Sequence, residues 1–376
     1  MNCPVCDSPQ EPIYTSGTQA SVTSICTVLP TALKALLCGR CALVQTVHTP
    51  QISLGGFWSE YHGTQAQSTD PVYFKDGDKV VFRAEQEADL MEQMLGLAAG
   101  SRLLILGGVR SESARVLHER RPDLTVSAVV ESPVYEERFS SFVKEDNLAV
   151  AEIPPSWFGS FDAVASLYDL AHEADPLSHL GAMIDLLKPD GRLLIAVPNL
   201  ATNTGDMVVA NHFTHFTFDS LRHLLQTSSL AEVRLDENAF KGRLVAVATK
   251  AVASRHNLEP IQASTFDTIR RISRYWTEFG ERVRAFESAQ ADEPAAIYGA
   301  GFYGAFILSQ LRLPNRIDSF FDGNVGLAGK RIASIPVCAP SREGVSSPIL
   351  YVGLNPDIAA AVGENLRRDG RPTFFP

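Results

Sequence analysis

Four cysteines stand in two C-x-x-C pairs, Cys3 with Cys6 and Cys38 with Cys41. Two such knuckles let four thiolates converge on one tetrahedral ion, each pair wrapping a tight turn, and four soft sulfur ligands suit zinc. With every position filled by sulfur, no coordination place is left for a substrate, so the predicted zinc is structural. Cys26 and Cys338 are single and read as small buried hydrophobes. Two glycine-rich turns offer a second chemistry. In LLILGGVRSESARVL, residues 103–117, a strand runs into Gly107 and Gly108 and then into a helix, which presents backbone N–H groups where a nucleotide can sit. Glu131 ends the next apolar run, TVSAVVE, where a carboxylate accepts hydrogen bonds from both hydroxyls of a ribose. Gly299, Gly301 and Gly304 form a G-x-G-x-x-G between a strand and a helix, with Asp322 closing the following strand, IDSFFD. That register predicts a Rossmann-like unit, used either as a structural turn or as a dinucleotide site. No G-x-S-x-G and no G-x-x-x-x-G-K occurs, so hydrolase and NTPase classes have no support.

The elements that must position these residues alternate. The runs 102–108, 125–131, 161–167 and 191–199 read as strands, with helices over 111–120 and 175–187 between them. That alternation predicts a parallel sheet covered on both faces, with segments near 234–250 as its antiparallel end. Residues 77–98 show helical spacing, with Val81, Ala84, Ala88, Met91 and Leu95 on the apolar face. Residues 52–67 are Gly-rich and aromatic and read as a linker that folds over a site, with Tyr61, and Tyr73 beyond it, as candidates to close on a ligand. A helix over 265–288, apolar at Phe266, Ile269, Ile272, Trp276, Phe279, Val283 and Phe286, is expected to join the halves. The 376 residues suit two or three domains, and 45% hydrophobic with 20% charged residues is a globular balance. A net charge of −10 argues against long nucleic acid as a partner. The longest apolar candidate, residues 295–308, is too short and too glycine-rich to cross a membrane. The N-terminal MNCPVCDSPQ lacks the basic-then-apolar pattern of a secretory signal, so the cytoplasm is the expected compartment.

The segment FDAVASLYDLAHEADPLSHLGAMIDLLKPDGRLLIAVPN, residues 161–199, resembles the fourth strand, following helix and fifth strand of class I S-adenosylmethionine (SAM)-dependent methyltransferases. Preceded by four cysteines and followed by IYGAGFYG, FFDGN and GKRIASIPV, it resembles the three-domain sugar C-methyltransferases of deoxysugar pathways along nearly the whole chain. The resemblance implies an α/β fold with a Rossmann-like methyltransferase core. Its layout would be a zinc-binding domain over 1–55, the SAM domain over 56–250, and a linker helix with a second Rossmann-like domain over 251–376. It implies SAM over Gly107 and Gly108, with Glu131 on the ribose and Glu152 near the adenine. The family's first glycine motif is altered here, with Ile105 at its acid position and Val109 and Ser111 at later glycines.

C-methylation by such enzymes needs a base that removes a proton beside a carbonyl, and help for the enolate oxygen. The family's Tyr-His-Glu-His segment falls on residues 209–212, which places the candidate base at His212, with Asn211 at the acid position, expected to orient the acceptor, and Val209 at the tyrosine position. His215 lies three residues on, and Tyr168 and His172 follow the fourth strand as candidates to position substrate. No H-E-x-x-H accompanies these histidines, which sets a metal at His212 and His215 aside. The expected acceptor is a small biosynthetic molecule such as a nucleotide-linked keto sugar. Two alternatives stand beside this reading: a repurposed, non-catalytic methyltransferase scaffold, and a nicotinamide-dependent oxidoreductase built on Gly299, Gly301, Gly304 and Asp322. The methyl acceptor and the oligomeric state do not follow from the residues.

Overall fold

The computed structural model describes residues 1–49, 55–67, 70–76, 79–251, 258–290, 292–324, 326–340, 347–366 and 370–376. At its centre is a seven-stranded sheet. Taken by chain order, its strands run 3-2-1-4-5-7-6: Leu148–Val150, Thr125–Val130, Arg102–Leu106, Phe161–Leu167, Leu187–Pro198, Arg243–Lys250 and Leu230–Asp236. The first five are parallel, and Arg243–Lys250 runs antiparallel to both neighbours. The apolar runs that form the inner strands are buried on both faces, as a helix-covered parallel sheet requires; Leu103, Leu104 and Ile105 have no exposed surface. Strand order reverses between Arg102–Leu106 and Phe161–Leu167, and the crevice beyond the carboxyl ends of such a pair is where open α/β sheets bind ligands. The two loops there carry Gly107 to Arg110 and Tyr168 to His172.

A four-stranded antiparallel sheet holds the N-terminal strands Gln10–Thr15, Ala32–Cys38 and Val44–Thr49. Its fourth strand is Thr214–His215, which follows the fifth strand of the central sheet in the chain and pairs with Val44–Gln45. A six-stranded, mainly parallel sheet near the C-terminus is built around Ala295–Tyr298, flanked by Ile317–Phe321 and Ile349–Val352. Helix Ala263–Ala289 binds these parts together. Trp276 and Phe279 pack against Phe306 of helix Phe302–Gln310, the Trp276 indole N–H donates to the Thr204 carbonyl at 2.8 Å, and Ser273 donates to the Ile13 carbonyl. One apolar core therefore runs from Leu33 and Leu37 through Trp276 to Phe306 and Phe320.

Three readings of the sequence are corrected. Within the described part of 52–67, residues Gly55–Gln67 form a helix rather than a linker; residues 52–54 lie outside the described residues. The helix expected over 77–98 spans only Arg83–Leu95, because residues Val72–Asp76 and Lys79–Phe82 pair as a hairpin and take Val81 into a strand; residues 77 and 78 lie outside the described residues. Val80, Val81 and Phe82 are β-formers, and the run outweighs the helical spacing they begin. Cys26 and Cys338 are only half-buried. Among the described residues, no helix is long and apolar enough to cross a membrane.

Candidate active site

The four cysteines of the paired knuckles meet. Their sulfurs lie within 4.8 Å of one another, with Cys3 Sγ 3.5 Å from Cys41 Sγ and Cys6 Sγ 3.4 Å from Cys38 Sγ. A tetrahedral zinc with bonds near 2.3 Å sets its sulfurs about 3.8 Å apart, so the cluster fits that ion. The two knuckles repeat one backbone design. The Asp7 N–H donates to the Cys3 carbonyl and the Ala42 N–H to the Cys38 carbonyl, and Asp7 and Ala42 both take φ of 55°. The Arg40 N–H points at Cys38 Sγ from 3.4 Å, as expected where a backbone turn wraps a thiolate.

At the switch point of the central sheet lies a cavity of about 310 Å³. Its floor is Gly107, Val109 and Arg110 after the first strand, and Glu131 after the second. Gly107 has φ of +100°, a conformation side chains rarely adopt, and it turns the chain so that the Gly108 N–H donates to Glu131 Oε2 at 2.8 Å. Burial raises the Glu131 carboxyl above its ordinary range, and the Gly108 N–H opposes that shift. One N–H leaves most of the carboxylate's lone pairs free for a ligand. Helix Gly55–Gln67 forms the roof with Trp58, Tyr61 and His62. Trp58 meets the His172 ring edge-on at 5.4 Å, and His62 Nδ1 lies 3.1 Å from the Tyr135 hydroxyl.

A second chamber of about 340 Å³ adjoins the first, and Tyr61, Arg110, Tyr168 and His172 line both. Of these shared residues, Tyr168 has an unusual backbone. It has φ of 75°, unusual for a bulky side chain and costing on the order of 1–3 kcal/mol, and its N–H is tied to the Ala196 carbonyl at 2.7 Å. The second chamber draws its walls from distant segments: Ser24 and Ile25 of the N-terminal region, Asp206 and His212 of the loop after the fifth strand, and Phe302 of the C-terminal unit.

Asp206 organises the histidines. It is 1% exposed, and its two oxygens accept from His212 Nδ1 at 2.6 Å and His215 Nδ1 at 2.9 Å. Burial alone would raise its carboxyl; the two facing imidazoles reverse this and hold it well below the usual carboxylate range. A carboxylate only accepts, so each ring carries its proton on Nδ1. His215 Nε2 is then committed to the Thr46 hydroxyl at 2.8 Å, whereas His212, in the chamber wall, keeps Nε2 for a ligand. His172 donates Nδ1–H to the Asn211 carbonyl at 2.8 Å, and its ring meets that of His212 at 4.8 Å. Burial, then the nearby His212, push His172 down to about 4. It is a neutral and weak base at pH 7.

Other sequence candidates are placed elsewhere. Glu152 is exposed and outside both chambers. Tyr73 packs on Phe240 and accepts from the Lys241 N–H, so it does not close over the site. Asn211 does not orient a ligand: it is fully buried and clasps Ser24, accepting from its N–H at 2.8 Å and donating to its hydroxyl at 3.0 Å. At the C-terminal G-x-G-x-x-G, Asp322 accepts from the Ala300 N–H at 2.8 Å, and a Cβ on Gly304 would lie 2.0 Å from the Gly299 carbonyl oxygen. Close packing accounts for Gly299 and Gly304, whereas a Cβ on Gly301 would meet nothing within 4 Å. Sequence reasoning passed over Arg83, Arg110, Arg243, Asp206, Trp58 and His62. Only the last two carried a signal: Trp58, Tyr61, His62 and Gln65 follow the i, i+3, i+4, i+7 spacing of one helix face.

The buried histidines set a pH dependence. Burial lowers His172, His48 and His62 below the ordinary 6.5. The unfolded chain therefore binds protons first, and the stability these rings contribute is present above pH 6.5 and lost as pH falls toward 4. His179 has the opposite sign: burial lowers it, but the hydrogen bond to Asp169 and the charges of Asp169 and Glu173 together more than offset burial and raise it. The large His172 shift dominates, and stability is expected to be lower at pH 5 than at pH 7.5 by on the order of 2 kcal/mol, read as a lower urea midpoint. An unchanged or higher midpoint at pH 5 contradicts this account.

The fold is that of the class I methyltransferases, a Rossmann-like sheet of order 3-2-1-4-5-7-6 with its seventh strand reversed. No family model and no curated protein matches the chain. Solved structures similar to it include the cyclase SpnF, at 13% identity and a TM-score of 0.39 over 53% of this chain and 93% of that one. The pyocyanin biosynthetic protein PhzM matches at 16% identity and 0.37, over 45% and 55% of the two chains. Human N-acetylserotonin methyltransferase in complex with SAM matches at 15% and 0.36, over 45% and 52%.

Proposed function

We propose that the protein is a SAM-dependent methyltransferase that methylates a carbon beside a carbonyl of a small biosynthetic acceptor, in the manner of enzymes acting on nucleotide-linked keto sugars. The observation that carries this is the junction of the two chambers, with Glu131 and the glycine turn facing the first and the Asp206-held His212 facing the second. SAM bound over Gly107 and Gly108 supplies an electrophilic methyl group. Glu131 holds the ribose hydroxyls, and the aromatic face of helix Gly55–Gln67 excludes water. In the second chamber, His212 Nε2 takes the proton from the acceptor carbon while Asp206 stabilises the imidazolium that forms. The Tyr168 hydroxyl, buried without a hydrogen-bond partner among the described residues, donates to the enolate oxygen. Cys3, Cys6, Cys38 and Cys41 hold one structural zinc.

Calorimetry with SAM tests the reading. Micromolar binding is expected, and no binding favours the repurposed scaffold. Copurified nicotinamide, detected by its absorbance, would favour an oxidoreductase, although Asp322 is already engaged by Ala300. Glu131→Ala removes two charge-assisted hydrogen bonds to the ribose, and SAM affinity is expected to fall by roughly 2–4 kcal/mol. Unchanged SAM affinity in this variant would sink the placement.

A further inference from the structure

The second chamber holds more positive charge than its own acids answer. Arg83, Arg110 and Arg243 all line it. Arg110 and Arg243 sandwich the Tyr168 ring, each guanidinium carbon about 5 Å from the ring centroid (5.1 and 5.2 Å). Glu87, fully buried beneath them, is committed to Arg110 at 3.2 Å and reaches Arg83 only at 3.5 Å. Asp206, the carboxylate in the chamber's lining, is consumed by His212 and His215. Arg243 donates from Nη1 to the Gly242 carbonyl at 3.2 Å, which leaves its charge unanswered. The Nε atoms of Arg110 and Arg243 are buried without a hydrogen-bond partner among the described residues, Arg83 Nε meets only Glu87 at 3.5 Å, and Arg110 is itself only 6% exposed. Buried cationic donors without partners are costly unless a ligand completes them.

We propose that this chamber takes a compact oxyanion of the acceptor, a carboxylate or phosphate, between Arg83 and Arg243. The inference rests on reading the chamber as the acceptor site, and it narrows that reading. At about 340 Å³ the space is at the small end of ligand pockets, which run about 300–1,000 Å³. It suits an anionic keto compound of modest size, held so that its acidic carbon faces His212. A planar guanidinium fork matches both carboxylate and phosphate, which is why arginine rather than lysine serves here.

The test is calorimetric titration of the full chain with pyruvate, inorganic phosphate and acetone, each with and without saturating S-adenosylhomocysteine. Saturable binding of pyruvate or phosphate, and none of acetone, is expected; the anion that binds more tightly identifies the source of the charge. Arg83→Gln and Arg243→Gln are each expected to weaken that anion at least tenfold, with Arg243→Lys retaining part of the affinity and guarding against a folding defect. Absence of saturable binding by both anions to the unaltered protein, or full affinity in both glutamine variants, overturns the inference. SAM binding is measured separately. Arginine-dependent anion binding in a protein that ignores SAM would uphold the anion site and reject the methyltransferase reading.

Discussion

His212→Asn is expected to lower turnover by roughly 10²–10⁴-fold, the usual contribution of a positioned general base, while SAM affinity stays within about twofold. The expectation follows from the placement of the ring. Nδ1 is held by Asp206 at 2.6 Å, so the unshared pair sits on Nε2 in the wall of the second chamber. His172 is the other histidine that lines the chamber, but burial pushes it down to about 4, which makes it a poor proton acceptor at pH 7. Asp206→Asn separates orientation from proton transfer. An amide in that place can donate to Nδ1 and turn the ring into the wrong tautomer, so a loss of similar size is expected with His212 intact. The pH–rate profile of that variant is expected to shift, which a merely structural role would not produce. The measurement is single-turnover methyl transfer to an acceptor identified by mass spectrometry of ligands carried through purification. Near wild-type turnover in His212→Asn would remove it as the base and point to O-methylation of a ready-made alkoxide or phenolate, or to base work by His172.

Cys38→Ser is expected to lose the metal and also to abolish measurable turnover, although Cys38 touches neither chamber. Structural zinc sites contribute on the order of 10 kcal/mol to folding, so losing one thiolate loosens what the ion holds. Here the N-terminal sheet takes Thr214–His215 as its outer strand, directly after His212. Thr46 holds His215 Nε2, its N–H donates to the Phe213 carbonyl at 3.0 Å, and Ser24 is clasped by Asn211. Loosening the zinc segment therefore frees the loop that aims His212. The first chamber is built from the central sheet and helix Gly55–Gln67, and SAM affinity is expected to fall by less than tenfold. Elemental analysis of the fresh wild-type protein checks the premise, with one zinc per chain expected. A Cys38→Ser protein without zinc but with normal turnover would disconnect the metal from the site.

How much of this was legible in the sequence depended on the range of the physics involved. The paired cysteines, the strand–glycine turns and the alternation of apolar runs are local signals. Their chemistry acts within a few residues, through a knuckle, a turn or a pleat, and the sequence by itself determined the four-cysteine cluster, the parallel sheet and the switch-point loops. The hairpin at Val72–Phe82 shows the limit of even local signals, since strand pairing took Val81 from a helix whose spacing it matched. The candidate site was decided only by tertiary structure. Asp206 lies six residues before His212 in a short turn with no motif, and it becomes the partner of two histidines only because a strand from the N-terminal sheet holds His215 in place. Arg83, Arg110 and Arg243 come from three separate elements and carry no motif in the chain; they acquire meaning only when folding gathers them in the wall of one chamber, two of them against the Tyr168 ring. Asn211 met the opposite fate. Its place beside His212 suggested a ligand contact, but the approach of Ser24 from nearly two hundred residues away claimed its amide. Burial and long-range pairing change what a polar side chain can do, and neither is encoded in the spacing of the residues that undergo them.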